Sequence, residues 1–182
     1  MISVLPIETD RLIIRLFRES DADAFFAWRN DAQVARYTLW DYPFAMERAE
    51  AFCAKQAAIE NLPMGEWFQL FVEERVSGDP VGDIGLGLNA DADGALHIGY
   101  SISRKHWGKG YATEAVGSAM ITIAQAVGLE HLKAEIDARN PSSGRVLEKL
   151  GFTPGPLQPK RTLVKGEWCD EIDYYRPLIL KS

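Results

Sequence analysis

The sequence predicts an α+β protein, one domain over residues 1–182, with a mixed sheet and helices inserted at two places. Three observations carry this. A chain of 182 residues, 47% of them hydrophobic, suits one domain with a sizeable core. Strand-like runs follow one another instead of alternating strictly with helices, which argues against a doubly wound parallel sheet. And one strand gives way to a long helix across a glycine-bent corner, Lys105-His106-Trp107-Gly108-Lys109-Gly110.

Taken in order, residues 11–18 form a first strand. Glu19-Ser20-Asp21 starts a helix with acids in its first turn, and Ala24, Phe25 and Trp28 give it an apolar face. A second helical stretch begins near Asp31 and breaks around Asp41-Tyr42-Pro43. A third runs from Met46 to Asn61, with Ala49, Phe52, Cys53, Gln56 and Ile59 at helical spacing. Residues 66–75 are a strand, and Ser77-Gly78-Asp79-Pro80 is a turn. Val81 to Leu88 is the next strand, whose glycines weaken it or bring another backbone close. Asn89 to Gly94 looks like a calcium loop but lacks the closing glutamate, and strands flank it, so a hairpin turn is expected. Leu96, Ile98, Tyr100 and Ile102 alternate with His97, Gly99, Ser101 and Ser103. Beyond the corner, Ala112, Val116, Ala119, Ile123 and Val127 step by three or four towards a stop at Gly128. Leu132 to Asp137 is a strand, followed by a helix from Asn140. Pro154-Gly155-Pro156 interrupts the strand after Phe152. Arg161 to Lys165 and Trp168 to Arg176 are two last strands joined across Gly166.

The charge balance narrows the function. Net charge is −6 and the pI about 5.1, whereas a nucleic-acid binder is more often basic. An acidic surface steers cationic partners mildly, although solubility alone explains it. Cys53 and Cys169 stand far apart with no Cys/His ligand spacing, so no metal is expected. The N-terminus lacks the pattern of a signal peptide and no apolar run is long enough to span a bilayer. The expectation is a cytoplasmic protein, monomer or homodimer, with neither nucleic-acid nor membrane partner.

The glycine corner carries the chemistry. Glycine lets the backbone turn tightly and approach a ligand, and the helix start behind it offers unpaired N–H groups and partial positive charge, an anion site. There is no Gly-x-x-x-x-Gly-Lys-[Ser/Thr] run, so a nucleoside-triphosphate loop is disfavoured. Position 113 is Thr, so the dinucleotide pattern Gly-x-Gly-x-x-Gly is also missing. A strand–helix connection that merely needs glycine is the plainer alternative.

A second run, Asn140-Pro141-Ser142-Ser143-Gly144-Arg145-Val146-Leu147-Glu148-Lys149-Leu150-Gly151-Phe152, changes the balance. Together with the corner it resembles the GNAT superfamily of acyl-CoA-dependent N-acetyltransferases. The corner matches the pyrophosphate motif [Gln/Arg]-x-x-Gly-x-[Gly/Ala], with Lys105 in the first slot. Trp107-Gly108-Lys109-Gly110-Tyr111-Ala112-Thr113-Glu114-Ala115 and the opening Glu8-Thr9-Asp10-Arg11-Leu12 resemble the RimJ/RimL branch. The resemblance implies a largely antiparallel sheet that splays where the coenzyme enters, and acetyl-CoA as acyl donor. It implies pyrophosphate binding at Trp107, Gly108, Lys109, Gly110, Tyr111, Ala112 and Thr113. The pantetheine arm would lie along Tyr100, Ser101 and Ile102, a form of strand addition. Asn140, Ser143 and Arg145 would meet the coenzyme from the other side, Asn140 doubling as a helix cap. A strand N–H near Ser101 or Tyr100 would polarise the thioester carbonyl.

Proton handling bears on the acceptor. An α-amine, with a pKa of about 8, is partly neutral at pH 7, while a lysine amine at about 10.4 is not. Many relatives use a glutamate on the anchor strand; the outward-alternating residue here is His97, a general base or a surface histidine. Asp83 and Glu66 are further candidates, and His106 reads as a loop residue. The slot where many members of that superfamily carry a tyrosine as acid is Leu147 here, and the resemblance to the RimL-like branch implies Ser143, one helical turn away, as its substitute. Trp28, Asn30, Tyr37 and Trp168 are candidates for the acceptor pocket, the two tryptophans more naturally core. The reading is direct acetyl transfer in a ternary complex to a peptide or protein N-terminal α-amine. Alternatives are a small amine such as a polyamine, amino acid or aminoglycoside, and a non-catalytic acyl-CoA sensor.

Overall fold

The structure, a computed structural model, describes residues 4–89 and 93–178. Eight strands form one sheet: β1 (Ile7–Glu8), β2 (Leu12–Leu16), β3 (Trp67–Glu74), β4 (Pro80–Leu88), β5 (Ala95–Ile102), β6 (His131–Asp137), β7 (Thr153–Val164) and β8 (Glu167–Pro177). Their spatial order is β1-β2-β3-β4-β5-β6-β8-β7. Every neighbouring pair is antiparallel except β5 with β6. The helices are α1 (Ala22–Arg29), α2 (Ala32–Ala35), α3 (Met46–Ala57), α4 (Tyr111–Val127) and α5 (Pro141–Lys149). The mixed, largely antiparallel sheet is therefore as expected.

Alternation along the strands builds two cores. Phe68, Leu70, Val72, Ile84, Leu86, Leu96 and Ile98 meet Ala115, Val116, Ala119, Met120 and Ile123 of α4 on one face. On the other, Phe71 joins Phe17, Phe25, Trp28, Phe44 and Cys53 from the N-terminal segment, with Phe25 and Phe52 stacked 4.6 Å apart. The two faces thus use the period-two pattern for different partners.

The glycines of β4 serve two purposes. A Cβ at Gly82 would collide with the Ser101 carbonyl of β5, so there a backbone does come close. Gly87 instead makes room for a side chain, because a Cβ would lie 2.7 Å from the Trp67 indole.

Three expectations need correcting. The second helical stretch is only the four residues of α2, and α3 ends at Ala57 rather than Asn61. Pro154-Gly155-Pro156 does not end a strand; it lies inside β7, which runs on to Val164 with register shifts against β8 after Pro154 and Gln158. β7 is the sheet edge, so a proline that lacks an N–H removes no ladder bond on the outer side. Within the expected hairpin turn at 89–94, residues 90–92 lie outside the described residues.

The feature that matters most for function is where β5 and β6 part. They pair from Ala95↔His131 to Ile98↔Ala134 and no further, although β5 continues to Ile102 and β6 to Asp137. β6 stays on β8 through Asp137↔Glu171, and β5 stays on β4 through Gly82↔Ile102. A parallel pair held on both outer sides but released in the middle opens a wedge in the sheet. No helix among the described residues is long and apolar enough to cross a membrane.

Candidate active site

The wedge leaves one strand edge without backbone partners. Ser103 N–H donates to the Val81 carbonyl at 2.8 Å, so the antiparallel alternation turns the Ser101 N–H towards β4 as well. Tyr100 and Ile102 then point their backbone groups into the wedge. Trp107 Nε1 takes the Ile102 carbonyl at 2.7 Å, leaving the Tyr100 and Ile102 N–H groups facing the opening. Of the two donors proposed from sequence, the geometry favours Tyr100, because Ser101 belongs to the ladder.

The glycine corner sits at the mouth of the wedge. Arg104–His106 form a single 3₁₀ turn, and Gly108 and Gly110 take φ of 75° and 81°. That left-handed region strains any other residue. Nothing lies within 4 Å of a Cβ placed on Gly108, so the space in front of the loop is open. The loop is braced from outside. Glu114, in the first turn of α4, accepts from Thr9 Oγ1 at 2.6 Å, Arg11 N–H at 3.0 Å and Arg11 Nε at 2.7 Å. Arg11 Nη1 in turn donates to the Lys109 carbonyl at 3.0 Å. The two distant motifs that carried the branch resemblance are thus one physical unit. Burial works to raise the Glu114 pKa, but the donors from Thr9 and Arg11 outweigh it and hold the carboxyl below its usual range.

Two clefts open from the wedge. The first, about 560 Å³, is lined by the corner residues Trp107, Gly108, Gly110, Tyr111, Ala112 and Thr113, and by Asn140, Ser143 and Arg145 of the α5 start. Arg36 and Lys149 add two more cations to its wall. The second, about 370 Å³, lies among Trp40, Trp67, Asp83, His97, Glu135 and Glu171. Tyr37, Thr38, Tyr100, Ser101, Asn140 and Ser143 line both.

Most of the residues singled out in the sequence therefore converge. Asn140 caps α5, its side chain accepting from Ser143 N–H at 3.3 Å, and still faces both clefts. Ser143 Oγ lies 2.8 Å from Tyr100 Oη. Lys109 is not on the cleft wall: its carbonyl serves Arg11 and its Nζ lies 3.3 Å from His106 Nδ1. Lys105, in the first motif slot, pairs with Asp79 at 2.7 Å and is also off the wall. His106 is buried beneath the corner, and burial and Lys109 together pull its pKa below the ordinary value. Its Nε2 lies 3.0 Å from Asp79 Oδ2 but off the hydrogen-bonding direction.

His97 is not a surface histidine. It is buried, faces the second cleft, and its Nε2 lies 2.9 Å from Asp93 Oδ2. A carboxylate only accepts, so Nε2 carries the proton and Nδ1 is the basic nitrogen of the neutral ring. Asp83 stands opposite Ser101 in the register, but Trp28 Nε1 (2.8 Å) and Arg29 Nη2 (3.0 Å) engage both its oxygens. Burial nonetheless pushes its pKa up. Glu66 is exposed and lines neither cleft. Of the pocket candidates, only Tyr37 lines the clefts. Trp28 is core, and Asn30 exchanges hydrogen bonds with the Phe44 backbone. Trp168, expected in core or pocket, is 61% exposed on the outer hairpin.

Several lining residues had no sequence signal. Arg36 and Thr38, on either side of the pocket candidate Tyr37, arrive because Lys165, at the tip between β7 and β8, donates to the carbonyls of Ala35 (2.8 Å) and Thr38 (2.6 Å). No motif predicts a contact across about 130 residues. Trp67 reaches the second cleft because glycines face it.

The comparisons with known proteins agree with this architecture. The family described as an acetyltransferase (GNAT) domain matches residues 11–153. The chain belongs to that family. It is 32% identical over 146 residues, 80% of this chain and 81% of the other, to the uncharacterized N-acetyltransferase YoaA of Bacillus subtilis. It is 27% identical, over 90% of its length and 86% of the other's, to the ribosomal protein uS5-alanine N-acetyltransferase of Escherichia coli. A GNAT acetyltransferase structure from Bacillus anthracis superposes with a TM-score of 0.83 at 25% identity, covering 94% and 97% of the two chains. The ribosomal L7/L12 acetyltransferase RimL, solved with coenzyme A, shares the fold with a TM-score of 0.82 at 16% identity, over 95% and 97% of the chains. The protein is a GNAT N-acetyltransferase that is similar to ribosomal-protein N-acetyltransferases, and its acyl donor is acetyl-CoA.

The residues present fit that donor. Open space before the corner's N–H groups suits a pyrophosphate, three cations suit its charges, and the unpaired edge at Tyr100 and Ile102 suits a chain of amides.

Proposed function

We propose that the protein transfers an acetyl group from acetyl-CoA to the N-terminal α-amine of a peptide or protein, by direct attack in a ternary complex. The observation that carries this is the meeting of two clefts at Tyr100, Ser101, Asn140 and Ser143: one side suits the coenzyme, the other opens to an acceptor. The uS5-alanine N-acetyltransferase relative acts on such an amine.

Acetyl-CoA supplies the activated acetyl group. Trp107 to Thr113 and Arg145 hold its phosphates, and the Tyr100 N–H polarises the carbonyl from the wedge. The acceptor nitrogen enters from the second cleft. His97, oriented by Asp93, takes the ammonium proton through water, because strand spacing puts it ~13 Å from Ser101. An α-amine needs no stronger base than this. Asp83, with both oxygens held, fixes α1 on β4 and leaves proton transfer to His97. Ser143, in place of the missing tyrosine at Leu147, donates a hydrogen bond to the departing sulfur. A thiolate with a pKa of about 8.5 leaves readily with that much help.

Glu135 and Glu171 on the acceptor wall favour a second class, a cationic small amine. Thiol release from acetyl-CoA decides between them. Peptides beginning with Ala or Ser should turn over faster than polyamines, amino acids or aminoglycosides. Tight acetyl-CoA binding with no turnover on any amine would refute catalysis, and a clear polyamine preference would refute the peptide reading. His97→Ala should lower the rate and reshape its pH profile; an unaltered profile removes His97 from the mechanism.

A further inference from the structure

We infer that Tyr100 is a positioning residue for the reaction: its hydroxyl donates to Ser143 Oγ and so turns the serine's own proton towards the coenzyme's sulfur. The inference rests on the proposed role of Ser143 and adds to it the group that makes a serine serviceable there.

A serine hydroxyl rotates freely and carries a single proton, so on its own it has no preferred target. In this structure it is not on its own. Tyr100 Oη lies 2.8 Å from Ser143 Oγ and 3.1 Å from the Ser143 carbonyl. Tyr100 also has one proton, and two arrangements are open to it. Ser143 lies in the first turn of α5, where a helical carbonyl receives the N–H four residues on, here that of Leu147. The carbonyl keeps one lone pair free and can still accept, but its first is already engaged, and Oγ is the nearer acceptor at 2.8 Å against 3.1 Å. With the tyrosine proton on Oγ, the serine proton cannot point back at Tyr100 and is directed into the junction of the clefts, which both residues line.

Tyr100 is suited to be the permanent donor. Burial pushes its pKa up to about 12 and outweighs the opposing effect of the hydrogen bond it shares with Ser143 Oγ, so it keeps its proton across the working pH range. Its geometry is fixed from both ends: the backbone is in β5, and the ring packs against the main core. Ser143 is fixed in turn by the Asn140 cap at the α5 start. Strand and helix are thereby linked across the wedge by one side-chain pair. Where a tyrosine at position 147 would stand, there is instead a hydroxyl pair, Ser143 on the same helix and Tyr100 from the facing strand.

The bond changes balance without a proton leaving Tyr100. The C–N bond forms as the C–S bond breaks, and sulfur departs with the electron pair of that bond. The Ser143 hydroxyl stabilises the resulting thiolate, and the proton shed by the amine leaves through His97 to solvent.

The test needs no acceptor, so it stands apart from the question of which amine is used. The pKa of the coenzyme A thiol bound to the protein is titrated by the ultraviolet absorbance of the thiolate. It is read in the wild type, Ser143→Ala, Tyr100→Phe and the double variant, with thermal unfolding to confirm that each folds. A directed hydroxyl donor lowers the bound thiol's pKa. Each single variant should raise it by ~1–2 pH units, a hydrogen bond to a charged group. The double variant should raise it no further, because Tyr100 acts through Ser143. A shift in Ser143→Ala with none in Tyr100→Phe would overturn the inference and leave the serine's role intact. Additive shifts would also overturn it, since the two groups would be acting separately. No shift in either variant would remove the serine's role, and the inference with it. Turnover on whichever amine proves active should show the same non-additivity in kcat.

Discussion

Gly108→Ala measures separately what the glycine corner costs to fold and what it does for the coenzyme. Gly108 has a φ of 75°, and a Cβ there meets nothing within 4 Å. The folded protein therefore suffers no clash, only the left-handed backbone penalty of roughly 1–2 kcal/mol for a residue with a Cβ. Gly78, in the turn between β3 and β4, is a matched control. Its φ is 72° and its Cβ position is equally empty, but it lines neither cleft. The two alanine variants should lose the same stability, a fall in Tm of about 2–8 °C for a protein of this size. They should differ in ligand binding. The new methyl at Gly108 projects into the first cleft, where the loop's N–H groups must approach the pyrophosphate. We expect acetyl-CoA affinity to fall at least tenfold in Gly108→Ala, about 1.4 kcal/mol, and to stay at the wild-type value in Gly78→Ala. Differential scanning calorimetry gives the first quantity and titration calorimetry the second. Equal affinities in the two variants would refute the assignment of the corner to the coenzyme.

Three further perturbations follow from the packing around the site. Glu114→Ala removes the acceptor for Thr9 and Arg11 and frees the arm that holds the Lys109 carbonyl; it should cost about 1–2 kcal/mol in denaturant unfolding and weaken acetyl-CoA binding. Unchanged binding would mean that the brace does not shape the loop. Gly144→Ala places a Cβ 2.7 Å from Tyr174 Oη, pushing α5 off β8 at about 1–3 kcal/mol; Tyr174→Phe should recover most of the loss, and no recovery would locate the strain elsewhere. His106 has a pKa drawn below 6.5 by burial and by Lys109, with Asp79 and Glu74 pulling the other way. The unfolded chain thus takes the proton at higher pH, so His106 makes stability rise with pH from its folded pKa up to about 6.5. Urea midpoints between pH 5 and 7 should show that rise in the wild type and a shallower one in His106→Gln; parallel curves would exclude the histidine.

Much of the scaffold was legible in local pattern. The strand at 95–102, the helix closed at Gly128 and the Asn140 cap each follow from spacing within one element. The corner at Gly108 and Gly110 was legible for the same reason, because a positive φ leaves glycine as its signature. The errors came where a neighbour decides. Pro154-Gly155-Pro156 stays in a strand because that strand is the sheet edge, and edge position is a property of the whole sheet. The stretch after Asp31 forms a single helical turn, and Lys165, from the far hairpin, holds the carbonyl of its last residue, Ala35, and that of Thr38 beyond it. His97 was open between a general base and a surface residue because its alternation faces away from α4; Trp67 and Asp93, lying against that face, decide that it is buried.

The amino-acid sequence by itself determined the proposed coenzyme side of this protein, since backbone N–H groups at a glycine corner and a capped helix start are local consequences of residue order. The proposed acceptor side was decided only by tertiary structure. Its wall is assembled from α1, the segment after α2, β3, β6 and β8, whose residues share no spacing and meet only because the sheet opens between β5 and β6. The Tyr100–Ser143 pair belongs to the same category: 43 residues separate the two hydroxyls along the chain, and the wedge brings them within 2.8 Å.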